Sequence, residues 1–149
     1  MVSSARFFLD LTSSITLADR TETVMDWDNI PLVNTPTGFF SFNSSTNVIT
    51  FNVTGLYYLN LSARFGNPSN PGEFMGVALQ TGAGIHIDWF FGMVTTDSTV
   101  TRHHGVMVRR FTKDDTVRTN WYQAQTLGTS LANNGIDHTN LDIVFLDKV

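Results

Sequence analysis

The chain reads as short segments in which apolar and polar side chains alternate, separated by turn-forming residues. The clearest segment spans residues 56–65. Tyr57, Leu59, Leu61, Ala63 and Phe65 fall on one side of an extended chain, with Tyr58, Asn60, Ser62 and Arg64 on the other. A period of two predicts a strand with one buried face. Ile49, Phe51 and Val53 alternate with Thr50 and Asn52, and Ile85, Ile87, Trp89 and Phe91 alternate with His86, Asp88 and Phe90. Further on, Val106 and Val108 alternate with Met107 and Arg109. Val117, Thr119 and Trp121 oppose Arg118, Asn120 and Tyr122, and the chain closes on Leu141, Ile143 and Phe145. Between these segments lie Pro36-Thr37-Gly38, Asn43-Ser44-Ser45, residues 67–72, Gly82-Ala83-Gly84, Asp97-Ser98 and Asn133-Asn134-Gly135, residue types that favour turns. Many short strands at regular spacing predict an all-β fold, a sandwich or a barrel. A two-sheet antiparallel jelly-roll sandwich is one standard solution.

Composition sharpens this picture. At 149 residues the chain is long enough for one real core, so a single jelly-roll domain over residues 1–149 is expected. It holds 20 Thr, 12 Asn and 11 Ser but only two Lys and two Glu, and Lys and Glu are the residues that fill exposed helix faces. Twelve Phe favour strands instead. The bias towards Thr, Asn and Ser matches that of virion surface proteins and points to a virion surface, outside the cell.

Charge and cysteine count exclude several classes. A net charge of −4 argues against a non-specific grip on nucleic acid, which needs a basic surface. The absence of cysteine excludes disulfide frameworks, thiolate metal sites and a cysteine nucleophile. No apolar run approaches the roughly 20 residues of a membrane helix, so no membrane insertion is expected. The first residues, Met1-Val2-Ser3-Ser4-Ala5-Arg6, lack the charged-then-apolar layout of a secretory signal.

One stretch carries a family likeness. Val33-Asn34, Thr37-Gly38-Phe39-Phe40 and the run Ile49-Thr50-Phe51-Asn52-Val53-Thr54-Gly55-Leu56-Tyr57-Tyr58-Leu59 resemble the globular head of complement component 1q and its tumour necrosis factor relatives. Val106 to Val117 is similar to that family's apolar strand, Gly-Asp turn and Val strand, with Asp115 on the Asp and Asp114 where Gly is usual. Leu141-Asp142-Ile143-Val144-Phe145-Leu146 is similar to the family's last strand, without its Ser-Gly. The resemblance runs from about residue 25 to the end and implies a jelly roll, a homotrimer and a non-enzymatic binding role. The composition adds the expectation of a viral, phage-borne version. In such a trimer, Tyr58, Phe90, Tyr122 and His103 are the candidate interface residues, because outward aromatics need cover.

Candidate chemistry is sparse. Gly128-Thr129-Ser130-Leu131-Ala132 approaches a nucleophile elbow but lacks its last glycine. Asp26 and Asp28 sit two apart on one strand face, and His86 and Asp88 do likewise. These four, with His103 beside His104, are the weak metal candidates. Calcium needs six to eight oxygens and imidazole ligands need convergence, so no metal and no cofactor is expected. Arg109-Arg110 with Lys113 reads as a charged strand edge that discourages pairing. No catalytic constellation emerges.

The expected function is a trimeric non-enzymatic head at the tip of a virion fibre or spike, attached to other virion proteins and contacting a host-cell surface receptor or glycan. Its contact loops would include Asn67, Ser69, Asn70 and Glu73, then Thr96 and Asp97, then Thr129, Asn133 and Asn134, since polar loop tips offer adaptable hydrogen bonding. The alternatives are a structural capsid decoration or assembly trimer and a secreted complement-like or carbohydrate-binding module.

Overall fold

The alternation at residues 56–65 becomes the central strand of the molecule. The computed structural model describes residues 5–11, 15–17, 20–27, 31, 33–66, 74–93, 100–123, 129–131 and 139–148. In chain order its strands are β1 (Arg6–Asp10), β2 (Ile15–Leu17), β3 (Thr23–Val24), β4 (Val33–Thr35), β5 (Phe40–Asn43), β6 (Val48–Phe51), β7 (Gly55–Gly66), β8 (Phe74–Thr81), β9 (His86–Met93), β10 (Val100–Phe111), β11 (Thr116–Gln123), β12 (Thr129–Leu131) and β13 (Asn140–Asp147). Among the described residues there is no helix.

The strands form two antiparallel sheets. In the first, β10 flanks β7 along its whole length, and β13, β1 and β4 follow on the other side. The far end of β7 also takes β12, which pairs with β2. The second sheet runs β5-β6-β11-β8-β9, with β3 added to β11. Sequence neighbours repeatedly land in different sheets, as jelly-roll winding requires. This is the all-β two-sheet jelly roll that the alternation predicted.

The core lies between the sheets. Phe7 and Leu9 of β1, Tyr57, Leu59 and Leu61 of β7, and Leu141 and Ile143 of β13 are buried from one side. Ile49 and Phe51 of β6, Val77 and Leu79 of β8, and Val117 and Trp121 of β11 meet them from the other. Tyr57 is the hub of an aromatic cluster. Its ring centroid lies 4.7 Å from Phe51, 5.3 Å from Phe145, 5.8 Å from Phe40 and 6.0 Å from Phe111. Most of these contacts are edge-on, the geometry that ring quadrupoles prefer. The Tyr57 hydroxyl donates to the Val53 carbonyl, so the one polar atom of this cluster is satisfied. Burial pushes the Tyr57 phenol up to about 12. Gly55 permits this packing, since a Cβ there would strike the Phe145 ring and stand 2.5 Å from the Asp147 carbonyl oxygen.

The structure differs from the sequence reading in three places. Ile85 lies outside β9, in the turn after β8, and is 68% exposed. Its amide is held by the Thr81 hydroxyl (3.1 Å), which keeps it in the turn. The β8–β9 pairing shifts register, so His86 stands opposite Gln80 and Asp88 opposite Leu79. Gln80 and Leu79 are consecutive and face opposite ways, so His86 and Asp88 do not form the simple same-face pair the alternation suggests. Thr129 sits in β12, paired to Leu17, where a loop was expected.

Candidate functional site

Alternation on β10 places His103, Gly105, Met107 and Phe111 towards the core and His104, Val106, Val108 and Arg110 away from it. Period two shows that the valines share a side but not which side, and the pairing with β7 turns them outward. Val108 stands beside Tyr58, which stands beside Val144 and then Arg6. The next row runs Val106, Asn60, Asp142, Phe8 and Val33. Val106 and Val108 are each 56% exposed and Leu146 is 49% exposed. Tyr58, Val144, Leu56 and Phe8 are half-buried. An antiparallel sheet with a solvated outer face carries polar side chains there, whereas this one carries a band of valine, tyrosine, leucine and phenylalanine.

One ion pair is set into that band. Arg6 Nε donates to Asp142 Oδ1 at 2.8 Å and Nη2 to Oδ2 at 2.9 Å. This two-pronged geometry ties β1 to β13, and the hydrogen bonds to Asp142 raise the Arg6 pKa further. The guanidinium also lies 5.4 Å above the Phe8 ring, so the charge is neutralised within the face.

A second feature lies where β10 and β9 run along the same side of the sandwich. A cleft of about 330 Å³ is lined by Thr81, Ile87, Arg109, Arg110, Phe111, Asp114, Asp115 and Thr116. Asp115 is committed to its own turn, where Oδ2 accepts the Thr112 amide at 2.7 Å. Asp114 holds a positive φ of 73° at the position where the family likeness places glycine.

The polar cluster that the structure does assemble centres on Glu22. Its Oε1 accepts from Gln80 Nε2, from Asn120 Nδ2 at 2.8 Å, and lies 2.8 Å from His86 Nε2. Gln80 in turn accepts from Arg118 Nε at 3.1 Å. The cluster pins the chain before β3 to Gln80 of β8, His86 of β9 and Asn120 of β11, as a clasp. Among the described residues no group of three His, Asp, Glu or Cys side chains gathers.

The sequence candidates therefore scatter. Tyr58 lies on the open face of the first sheet, whereas Phe90 and Tyr122 belong to strands of the second sheet. The outer faces of two packed sheets point apart, so one flat contact cannot collect Tyr58 and Tyr122, while the register sets Phe90 opposite the core residue Val77. His103 stands opposite Ala63 on the core side, where burial, and secondarily the charge of His104, lowers its pKa. His86 is held by Glu22, and Asp26 accepts from Asn47 Nδ2 at 3.0 Å. Asp28, Asn67, Ser69, Asn70, Glu73, Thr96, Asp97, Asn133 and Asn134 lie outside the described residues. The valine face and the cleft were not singled out from sequence. The first was visible as an alternation of unknown direction, while the second joins two segments distant in the chain, residues 81–87 and 109–116.

No family model and no curated protein matches the chain. Solved structures do. Murine APRIL, in a crystal structure at pH 5.0, is similar over 97% of this chain and 100% of its own, with 16% identity and a TM-score of 0.70. The same murine protein at pH 8.5 gives 14% identity over 97% and 100%, with a TM-score of 0.66. The Eiger TNF of S. frugiperda gives 11% identity over 98% of this chain and 93% of its own, with a TM-score of 0.67. The fold is thus the jelly roll seen in tumour necrosis factor-like domains.

Proposed function

We propose that this protein is a non-enzymatic binding head that works as a homotrimer at a virion surface, presenting its loops to a receptor on the host cell. The observation that carries the reading is the outward apolar band of β7, β10 and β13. A band of that kind on one sheet of a small domain marks a protein contact. A closed ring of identical copies covers it without leaving open ends. The likeness to tumour necrosis factor-like domains supports the same arrangement, and the Thr, Asn and Ser bias supports the virion setting. Threefold presentation multiplies weak individual contacts, with avidity gains of about 10²–10⁴ where geometry allows simultaneous engagement.

Light scattering on a sizing column tests this directly. The chain is 16.6 kDa, so a trimer elutes with a mass of about 50 kDa that holds on dilution. A mass of one chain at all concentrations overturns the reading. Binding of the labelled trimer to intact host cells, saturable and competed by unlabelled protein, tests the receptor role.

A further inference from the structure

The two outward rows centred on Tyr58 and Asn60 hold charge at one place only. The first runs Val108, Tyr58, Val144, Arg6 and Thr35, and the second Val106, Asn60, Asp142, Phe8 and Val33. Arg6 and Asp142 are the charged residues of these rows, and their two hydrogen bonds of 2.8 and 2.9 Å set one charge against the other. The Asp142 side chain is only 18% exposed and that of Arg6 is 48% exposed, so the carboxylate is already largely withdrawn from water. Further charges lie outside these rows. Arg110 and Asp147 stand on either side of Leu56 beyond the first row, and beyond the second runs His104, Ser62, Asn140 and Asp10. An apolar centre with a charged margin is the anatomy of a protein contact.

A solvent-exposed ion pair adds little to a fold, and β1 is already tied to β13 by the backbone ladder from Arg6 to Asp10. Under a second protein the pair has a larger effect. Either charge alone would be buried there without a partner, which opposes association, whereas the two together leave no net charge to bury. We propose that the Arg6–Asp142 pair lies inside the contact between copies and keeps the centre of the face neutral, so that a second copy of this chain can cover it. The charge pattern favours a copy over a different partner. A face that recognises a charged partner keeps an unpaired charge to offer, whereas both charges here are used within the chain. In a closed ring every contact is the same, so an unpaired charge at this position would recur in each of them. This inference rests on the homotrimer reading and extends the buried area from β10 across to β1.

The test is a double-mutant cycle on the full chain with Arg6→Gln, Asp142→Asn and the two combined. Exchange of subunits between donor-labelled and acceptor-labelled trimers, followed by energy transfer, gives the dissociation rate. Each single variant strands one charge in the contact and should exchange at least about a hundred-fold faster than the parent. The combined variant has no charge to strand and should stay within about ten-fold of the parent. Lys113→Gln, a charge change at an exposed turn, should exchange as the parent does. If the combined variant is as fast as the singles, the pair is a tie within one chain; if the singles match the parent, the pair lies outside the contact. Either result overturns the inference. Urea midpoints in the Val108→Asp background read the fold apart from assembly. They should agree closely for all three variants, and a fall confined to the singles assigns the effect to the fold and also overturns the inference. A parent that is a single chain at every concentration removes the trimer reading itself, whereas a trimeric parent with indifferent variants removes only the role of the pair.

Discussion

Val108 on β10 stands directly across from Tyr58 on β7, and both side chains point away from the core. Val108 is 56% exposed in the single chain, so a charge there costs the isolated fold little, within about 0.5 kcal/mol. Buried between copies, the same charge would lie unpaired against tyrosine and valine at a cost of several kcal/mol. Val108→Asp is therefore expected to reduce the light-scattering mass to that of one chain while leaving the urea midpoint of the monomer nearly unchanged. A trimer that survives this change places the contact elsewhere.

Much of the fold was legible because most strands have one dry face. Tyr57, Leu59 and Leu61, then Val117 and Trp121, then Leu141, Ile143 and Phe145 each share one side by alternation, and all are buried. The β8 strand shows no such alternation, and for a physical reason. Residues 76–80 are all buried and run Gly-Val-Ala-Leu-Gln without a polar residue between the apolar ones, so the period-two signal is erased. The direction of β10 was hidden by a related circumstance. It carries apolar residues on both sides, Met107 and Phe111 inward and Val106 and Val108 outward, and alternation alone carries no sign. The cleft and the Glu22 cluster were illegible because each joins residues from separate strands, a relationship that exists only after pairing.

His103 links stability to acidity. Its folded pKa lies below the usual 6.5, chiefly through burial and secondarily through His104. The unfolded chain therefore takes up the proton first as pH falls. Stability from this group is fully present above about pH 6.5 and is lost as pH falls from there through the lower folded value. The urea midpoint should drop between about pH 7.5 and pH 5.5, and His103→Asn should flatten that slope. An unchanged slope in the variant would assign the effect to other groups.

Tyr57 acts at the other end of the scale. Burial raises its phenol from 10.0 to about 12, so the unfolded chain loses its proton first. The stability this represents is complete below pH 10 and disappears as pH rises from 10 towards 12. Tyr57→Phe keeps the ring and its contacts with Phe51 and Phe145 but removes the hydrogen bond to Val53. At neutral pH the loss should be about 1 kcal/mol. The alkaline fall in midpoint should become shallower, and ultraviolet titration should lose one late-ionising phenol.

Glu22 concentrates three donors on one oxygen, and two of the donor residues, Gln80 at 3% and Asn120 at 4% exposure, are buried. Removing the carboxylate strands their amide groups away from water, at about 1–3 kcal/mol. Because the bonds converge on the residue just before β3, the damage should begin locally. In Glu22→Ala, hydrogen exchange should quicken first at Val24 and Met25, and only at Thr119 and Asn120 of β11 thereafter, with the urea midpoint falling by the equivalent of that cost. Glu22→Gln can still accept from one amide and should lose less. If both variants unfold with the parent midpoint, the segment before β3 is held by its backbone pairing to β11 alone, and the carboxylate is not the clasp.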